Sequence, residues 1–247
     1  MKKKLRFLIL LLSAFPFFSF HARPVPRILV FSKTTFYYHA SIPYGIAAIR
    51  KLGEENGFLV DTTTNAALFN PSNLKKYAAV VFLSTSDTSG ALLDKSEQDA
   101  FRQFIESGKG YVGIHAAADA EYHWPWYNGL VGAYFKNHPG QQEAVLQVVD
   151  TSFVATRHLP HLWKRFDEWY NFKSTHWDQV HVLLTIDEKS YQGGENGDFH
   201  PMSWYHAYDG GRSFYSELGH TNETYSDPVY LQYLLGGIEY AMGTVKF

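Results

Sequence analysis

Between Arg27 and His115 the sequence alternates short apolar runs with amphipathic stretches, and this rhythm restricts the fold more than any other feature. RILVFS (27–32), FLVDTT (58–63), AAVVFLS (78–84) and YVGIH (111–115) are apolar runs of strand length. After the first run, Pro43 opens a helix that carries Ile42, Ile46, Ile49 and Leu52 on one face and stops at Gly57. Asp94, with Glu97 three residues on, predicts a capping box. The helix it starts buries Ala100, Phe101, Phe104 and Ile105 and stops at Gly108. Strands and helices alternating at this spacing predict an α/β domain with a parallel sheet covered on both faces.

The second half changes character. AVLQVV (144–149), HVLLTI (181–186), Pro201 to Tyr208 and Arg212 to Leu218 read as strands, and Asp209-Gly210-Gly211 is a hairpin turn between the last two. A helix is predicted from Pro228 to Met242. With no repeat and no low-complexity linker, residues 23–247 are expected to form one domain whose later hairpins are insertions around a site.

Composition removes several chemistries. The chain has 247 residues and no Cys, which excludes disulfides, thiolate metal sites and cysteine nucleophiles. Its net charge of −2 comes without any basic stripe, so nucleic-acid binding has no electrostatic support. The aromatic fraction of 17% is concentrated beside polar residues, in FYYH, YHWPWY, DEWYNF and SWYHAY. Aromatic faces next to hydrogen-bonding groups suit polyhydroxylated rings, although each such residue taken singly also fits a core position with its polar tip satisfied. The N-terminus reads as an export signal: Lys2, Lys3, Lys4 and Arg6 precede an apolar Phe7–Phe20 segment too short for the ~20 residues of a membrane span. Residues 1–22 are therefore expected to direct the chain to the periplasm or outside the cell, an uncleaved inner-membrane anchor being the alternative.

The candidate site residues lie where predicted strands end. His115 closes the strand at 111–115, Asp119 follows it, and Trp124 and His138 come from the aromatic segment after it. Ligands bind at strand C-termini in open α/β sheets. Tyr38 and His39 occupy the loop after the first strand, where Ser41 has the simpler role of a helix N-cap. In Asp167–Phe172, an extended backbone places Glu168 and Tyr170 on one face. Trp204 and His220 come from the last strands. Spread histidines and carboxylates of this kind serve acid-base chemistry or hold a divalent metal, and the spacing leaves both open, as it does a buried His bonded to a carbonyl.

Together YYHASI, GIHAAADAEYHWPWYNGLVGAYFKNHP, DEWYNF, HPMSWYHAYDGGRSFYSELGH and LLGGIEYAMG resemble the hallmark blocks of the ThuA-like, trehalose-utilisation family. The resemblance implies a Rossmann- or flavodoxin-like fold of the class I glutamine-amidotransferase type. That fold's amidotransferases carry a Cys on the turn that here reads His115-Ala116-Ala117, so glutamine hydrolysis is excluded. It also implies a carbohydrate ligand, a disaccharide or 3-keto-glycoside, with a functional link to a sugar oxidoreductase. On this reading His115, Asp119, Glu168 and His220 are catalytic and Tyr38, His39, Trp124, His138, Tyr170 and Trp204 bind substrate. Asp119 is expected to orient a histidine by accepting its ring N–H, and a non-catalytic sugar-binding protein or a dual-carboxylate glycosidase is the alternative.

Overall fold

The computed structural model describes residues 25–88 and 92–245; the expected export segment lies outside them. Among the described residues no helix is long and apolar enough to cross a membrane.

The first half builds the strand–helix units expected of it. Strand β1 is Arg27–Phe31, helix α1 Ile42–Asn56, β2 Leu59–Thr63, a short α2 Pro71–Leu74, β3 Ala79–Leu83, α3 Lys95–Glu106 and β4 Gly110–Ile114. The Asp94–Glu97 capping box forms as predicted, each side chain accepting the other residue's backbone N–H. Helix α4 (Pro125–Val131) and strands β5 (Tyr134–Asn137), β6 (Gln142–Val148), β7 (Leu162–Asp167), β8 (Asn171–Lys173), β9 (His181–Ile186), β10 (Pro201–Tyr208) and β11 (Gly211–Ser216) follow, and α5 (Pro228–Met242) ends the fold.

The main sheet has nine strands in the order β2-β1-β3-β4-β11-β10-β9-β6-β7. Its first five strands are parallel, because β11 pairs parallel with β4; the rest pair antiparallel. The later strands thus continue the sheet itself, where hairpin insertions were expected, and the second arm of the hairpin joins the parallel block. Strands β5 and β8 form a separate two-stranded ribbon. Alternation along each strand sends side chains to opposite helical layers. Phe82 stacks on Phe101 of α3, whereas its neighbour Leu83 lies against Gly45 of α1. On β11, Phe214 packs on Tyr233 of α5 while Ser213 bonds the Leu130 carbonyl of α4. Parallel strands β1, β3, β4 and β11 all end at one edge, and the loops leaving that edge carry the residues described next.

Candidate functional site

His115 is the first residue after β4 and is held at φ 51°, in the left-handed region. For a residue with a Cβ that conformation costs roughly 1–3 kcal/mol. It turns the imidazole out of the strand direction and into the space above the sheet edge. The ring is fully buried, and its Nδ1–H donates to the Glu217 carbonyl at 2.9 Å, which leaves Nε2 as the free edge. The next strand end supplies His220 through a locked loop. Gly219 has φ 131°, and a Cβ there would lie 2.7 Å from Tyr225 Oη. Its N–H and that of His220 donate to the buried Asp167 carboxylate at 3.1 Å, while its carbonyl accepts from Ser41 Oγ at 2.9 Å. Ser41 is therefore spent on this loop; it stands at the start of α1 but makes no side-chain cap.

After β7 the chain passes beside the end of β11, where the Tyr170 N–H donates to Glu217 Oε1. The expected alternation holds: Asp167 and Trp169 are buried inward, and Glu168 and Tyr170 face the cavity. Glu168 Oε2 lies 3.4 Å from His115 Nε2 and 3.1 Å from His220 Nδ1, and those two nitrogens are 3.2 Å apart. Its other oxygen is 3.2 Å from His138 Nδ1. His39 is buried, with its ring edge-on to both His115 and His220, and its Nδ1 has no hydrogen-bond partner. One ligand atom from each of His39, His115, Glu168 and His220 lies within 4.8 Å of all the others. His39, Glu168 and His220 border a cavity of about 290 Å³ whose remaining walls are Phe36, Tyr37, Asp119, Phe135, His138 and Tyr170, while His115 is fully buried against Glu168 and His220.

The electrostatics follow from burial and pairing. Burial opposes charge on His115, but its contacts with Glu168 and Glu217 prevail and raise its pKa to about 10. Burial pushes Glu168 up, and hydrogen bonds from His115 and His220 outweigh it, so this carboxyl sits well below the usual range. His39 falls to about 2 through burial, reinforced by the neighbouring histidines. Asp119 is raised to about 6 by burial, moderated by the Tyr122 hydroxyl that donates to it at 2.5 Å. Burial likewise lifts Glu217 to about 7, against the pull of His115.

The structure brings His39, Asp119, His138, Glu168, Tyr170 and His220 to one cavity and sets the fully buried His115 against Glu168 and His220. Three expected substrate-binding residues stand elsewhere. Trp204 is wholly buried and donates its Nε1–H to the Val131 carbonyl, a core position that no ligand reaches. Trp124 stacks on Trp126 at the start of α4 and packs against the core. Tyr38 is exposed; Tyr37, two residues from His39 and in edge contact with it, takes the wall position. The orienting partner of His115 is the Glu217 carbonyl, and Asp119 instead receives Tyr122. Asp167 and Glu217 went unread because a carboxylate in DEWYNF or SELGH gives no sign of its burial. Phe36 and Phe135 were equally legible as aromatics beside polar residues.

Comparison with known proteins shows the family and the fold. The trehalose-utilisation (ThuA) family profile matches residues 27–241. A putative ThuA-like protein from Bacteroides uniformis is similar at 27% identity and TM-score 0.74, over 89% of this chain and 93% of that one. Another from Parabacteroides merdae has 20% identity and TM-score 0.69, over 91% and 93%, and supports the fold. A beta-galactosidase from Bacillus circulans contains the same fold at 12% identity and TM-score 0.56, over 88% of this chain and 31% of that one. No curated protein sequence matched. The described chain, with its class I glutamine-amidotransferase-like fold and carbohydrate-related family, belongs to the ThuA family.

Proposed function

We propose that this protein is an enzyme that breaks a keto-sugar glycoside by proton abstraction next to the ketone. The observation that carries this reading is the meeting of His220, His138, Glu168 and Asp119 around one cavity with aromatic walls, with the buried His115 in contact with Glu168 and His220. At about 290 Å³ that cavity is at the small end for ligand pockets and suits a single ring. A pure binder needs the aromatics and a few amides, but not a buried group of titratable side chains.

A 3-keto group acidifies the C–H at the neighbouring carbon. Asp119, with its pKa at about 6, takes that proton as a base poised close to neutral pH. The electron pair forms an enediolate and then expels the glycosidic oxygen from the anomeric carbon, which leaves protonated as the free sugar. Water adds back to the anomeric carbon, giving the keto sugar. His220, backed by the buried His115, faces the developing oxyanion, and Glu168 holds both imidazoles in place. Glu168 is a poor base for this step because those same hydrogen bonds keep it ionised and weakly basic.

The keto substrate requires an oxidoreductase upstream, and the basic-then-apolar N-terminus supports export of the chain; sequencing the N-terminus of protein recovered from a periplasmic fraction checks the latter. The central test is an NMR time course with 3-keto-trehalose. The expected result is its conversion to glucose and 3-keto-glucose. Line broadening without any product would instead mark a sugar-binding protein and overturn the enzyme reading.

A further inference from the structure

We infer that His39, His115, Glu168 and His220 form a binding site for one divalent first-row transition-metal ion. The argument begins with spacing. An ion bound tetrahedrally at about 2.0–2.1 Å holds its donor atoms about 3.3–3.4 Å apart. The three separations among His115 Nε2, His220 Nδ1 and Glu168 Oε2 are 3.2, 3.4 and 3.1 Å, which are the edges of such a face.

The second observation is the state of the nitrogens. His115 Nδ1–H is committed to the Glu217 carbonyl, so Nε2 is the ring atom that points into the group. A backbone carbonyl behind the ring is the usual outer support of a metal-bound imidazole. The Gln141 side-chain nitrogen lies 2.7 Å from His220 Nε2; turning this amide by half a turn presents its oxygen to the ring, which keeps the proton on Nε2 and frees Nδ1 for an ion. His39 is 97% buried and its Nδ1 bonds to nothing in the protein. Two ring nitrogens facing each other across 3.2 Å, beside a carboxylate and an unpartnered ring, share either protons or a cation between them.

The donor set is three imidazoles and one carboxylate with no thiolate, which suits zinc, iron, cobalt or manganese better than calcium. The Glu168 carboxyl, in contact with both His115 and His220, is the acidic member of the set. Because the group borders the cavity, an ion there presents an open position to a ligand oxygen. What the ion would do to a keto sugar rests on the function proposed above; its binding does not.

The test uses the folded protein after EDTA dialysis, titrated with Co²⁺ and followed by calorimetry and visible absorption. One Co²⁺ per chain is expected, with the intense visible band of a low-symmetry site, displaced by Zn²⁺. Gln141→Ala should weaken uptake roughly 10–100-fold, and His220→Asn and Glu168→Gln by more than that. Asp119→Asn should bind as the wild type does, and circular dichroism confirms that each variant is folded. Failure of the folded wild type to take up Co²⁺ or Zn²⁺ overturns the site. So does uptake indifferent to both His220→Asn and Glu168→Gln, which marks a proton-sharing network with adventitious ions elsewhere. Stoichiometric uptake without turnover of 3-keto-trehalose overturns the function proposed above and leaves the metal site standing.

Discussion

His200 and His206 are as deeply buried as His39 and His115, yet the two pairs are built in opposite ways. His200 donates Nε2–H to the Tyr170 carbonyl at 2.8 Å and meets Glu188 with Nδ1 at 2.7 Å. His206 donates to the Leu130 carbonyl at 3.0 Å and stacks on Tyr208. Both rings pin one segment to another. In the cluster, His115 has one nitrogen anchored and the other turned toward His220 and Glu168, and His39 has a buried nitrogen with no partner. An unpaired buried polar atom costs roughly 1–3 kcal/mol. Burial does not separate a structural histidine from a working one; the direction of the remaining lone pair does.

The largest effect that would sharpen this contrast lies on the cavity side. Asp119→Asn should lower turnover of the keto glycoside by roughly 10²–10⁴-fold, about 3–5 kcal/mol of barrier, with the denaturation midpoint little changed. A loss of tenfold or less in steady-state assays would remove Asp119 as the base. On the structural side, His200→Phe leaves the Tyr170 carbonyl without its donor. It should cost roughly 1–3 kcal/mol in urea denaturation. Equal stability of this variant and the wild type would break the comparison from the other end.

Smaller effects appear in the pH dependence. Burial lowers the pKa of His206, so the folded ring stays neutral where the unfolded ring, at its ordinary 6.5, takes a proton. The unfolded state then binds more protons, and stability falls as pH drops below about 6.5. His206→Gln should recover part of that loss between about pH 7.5 and 5.5, measured as a shallower slope of stability against pH. The smallest change concerns Tyr122. The rate should rise with pH through about 6 as Asp119 loses its proton. Tyr122→Phe removes a hydrogen bond to the charged form, so this limb of the kcat/KM profile should move to higher pH. An unmoved limb would assign it to another group.

How much of this was legible in the sequence depended on whether the signal was local. The capping box at Asp94, the turn at Asp209-Gly210 and the span of α5 are local and were read directly. Strand β7, LWKRFD, escaped notice because an edge strand with one solvated face alternates charged and apolar residues without an apolar run. At the site, histidines that end strands stood out because strand ends define the ligand edge of such a sheet. The resemblance and the polar neighbours of Trp204 and Trp124 point to the pocket, but in the fold both side chains pack into the core. The roles of Asp167 and Glu217 depend on contacts between residues far apart in sequence, such as Asp167 with His220 and Glu217 with His115, which no spacing rule encodes.

The most direct test sets one histidine from each group side by side, His220→Asn against His206→Gln, measuring turnover and urea denaturation on the same preparations. The contrast predicts that His220→Asn loses about 10²-fold or more in turnover with a midpoint near the wild type. It predicts that His206→Gln keeps its turnover and alters only the stability profile. Turnover retained in His220→Asn, or lost only in proportion to its unfolding, would contradict the account.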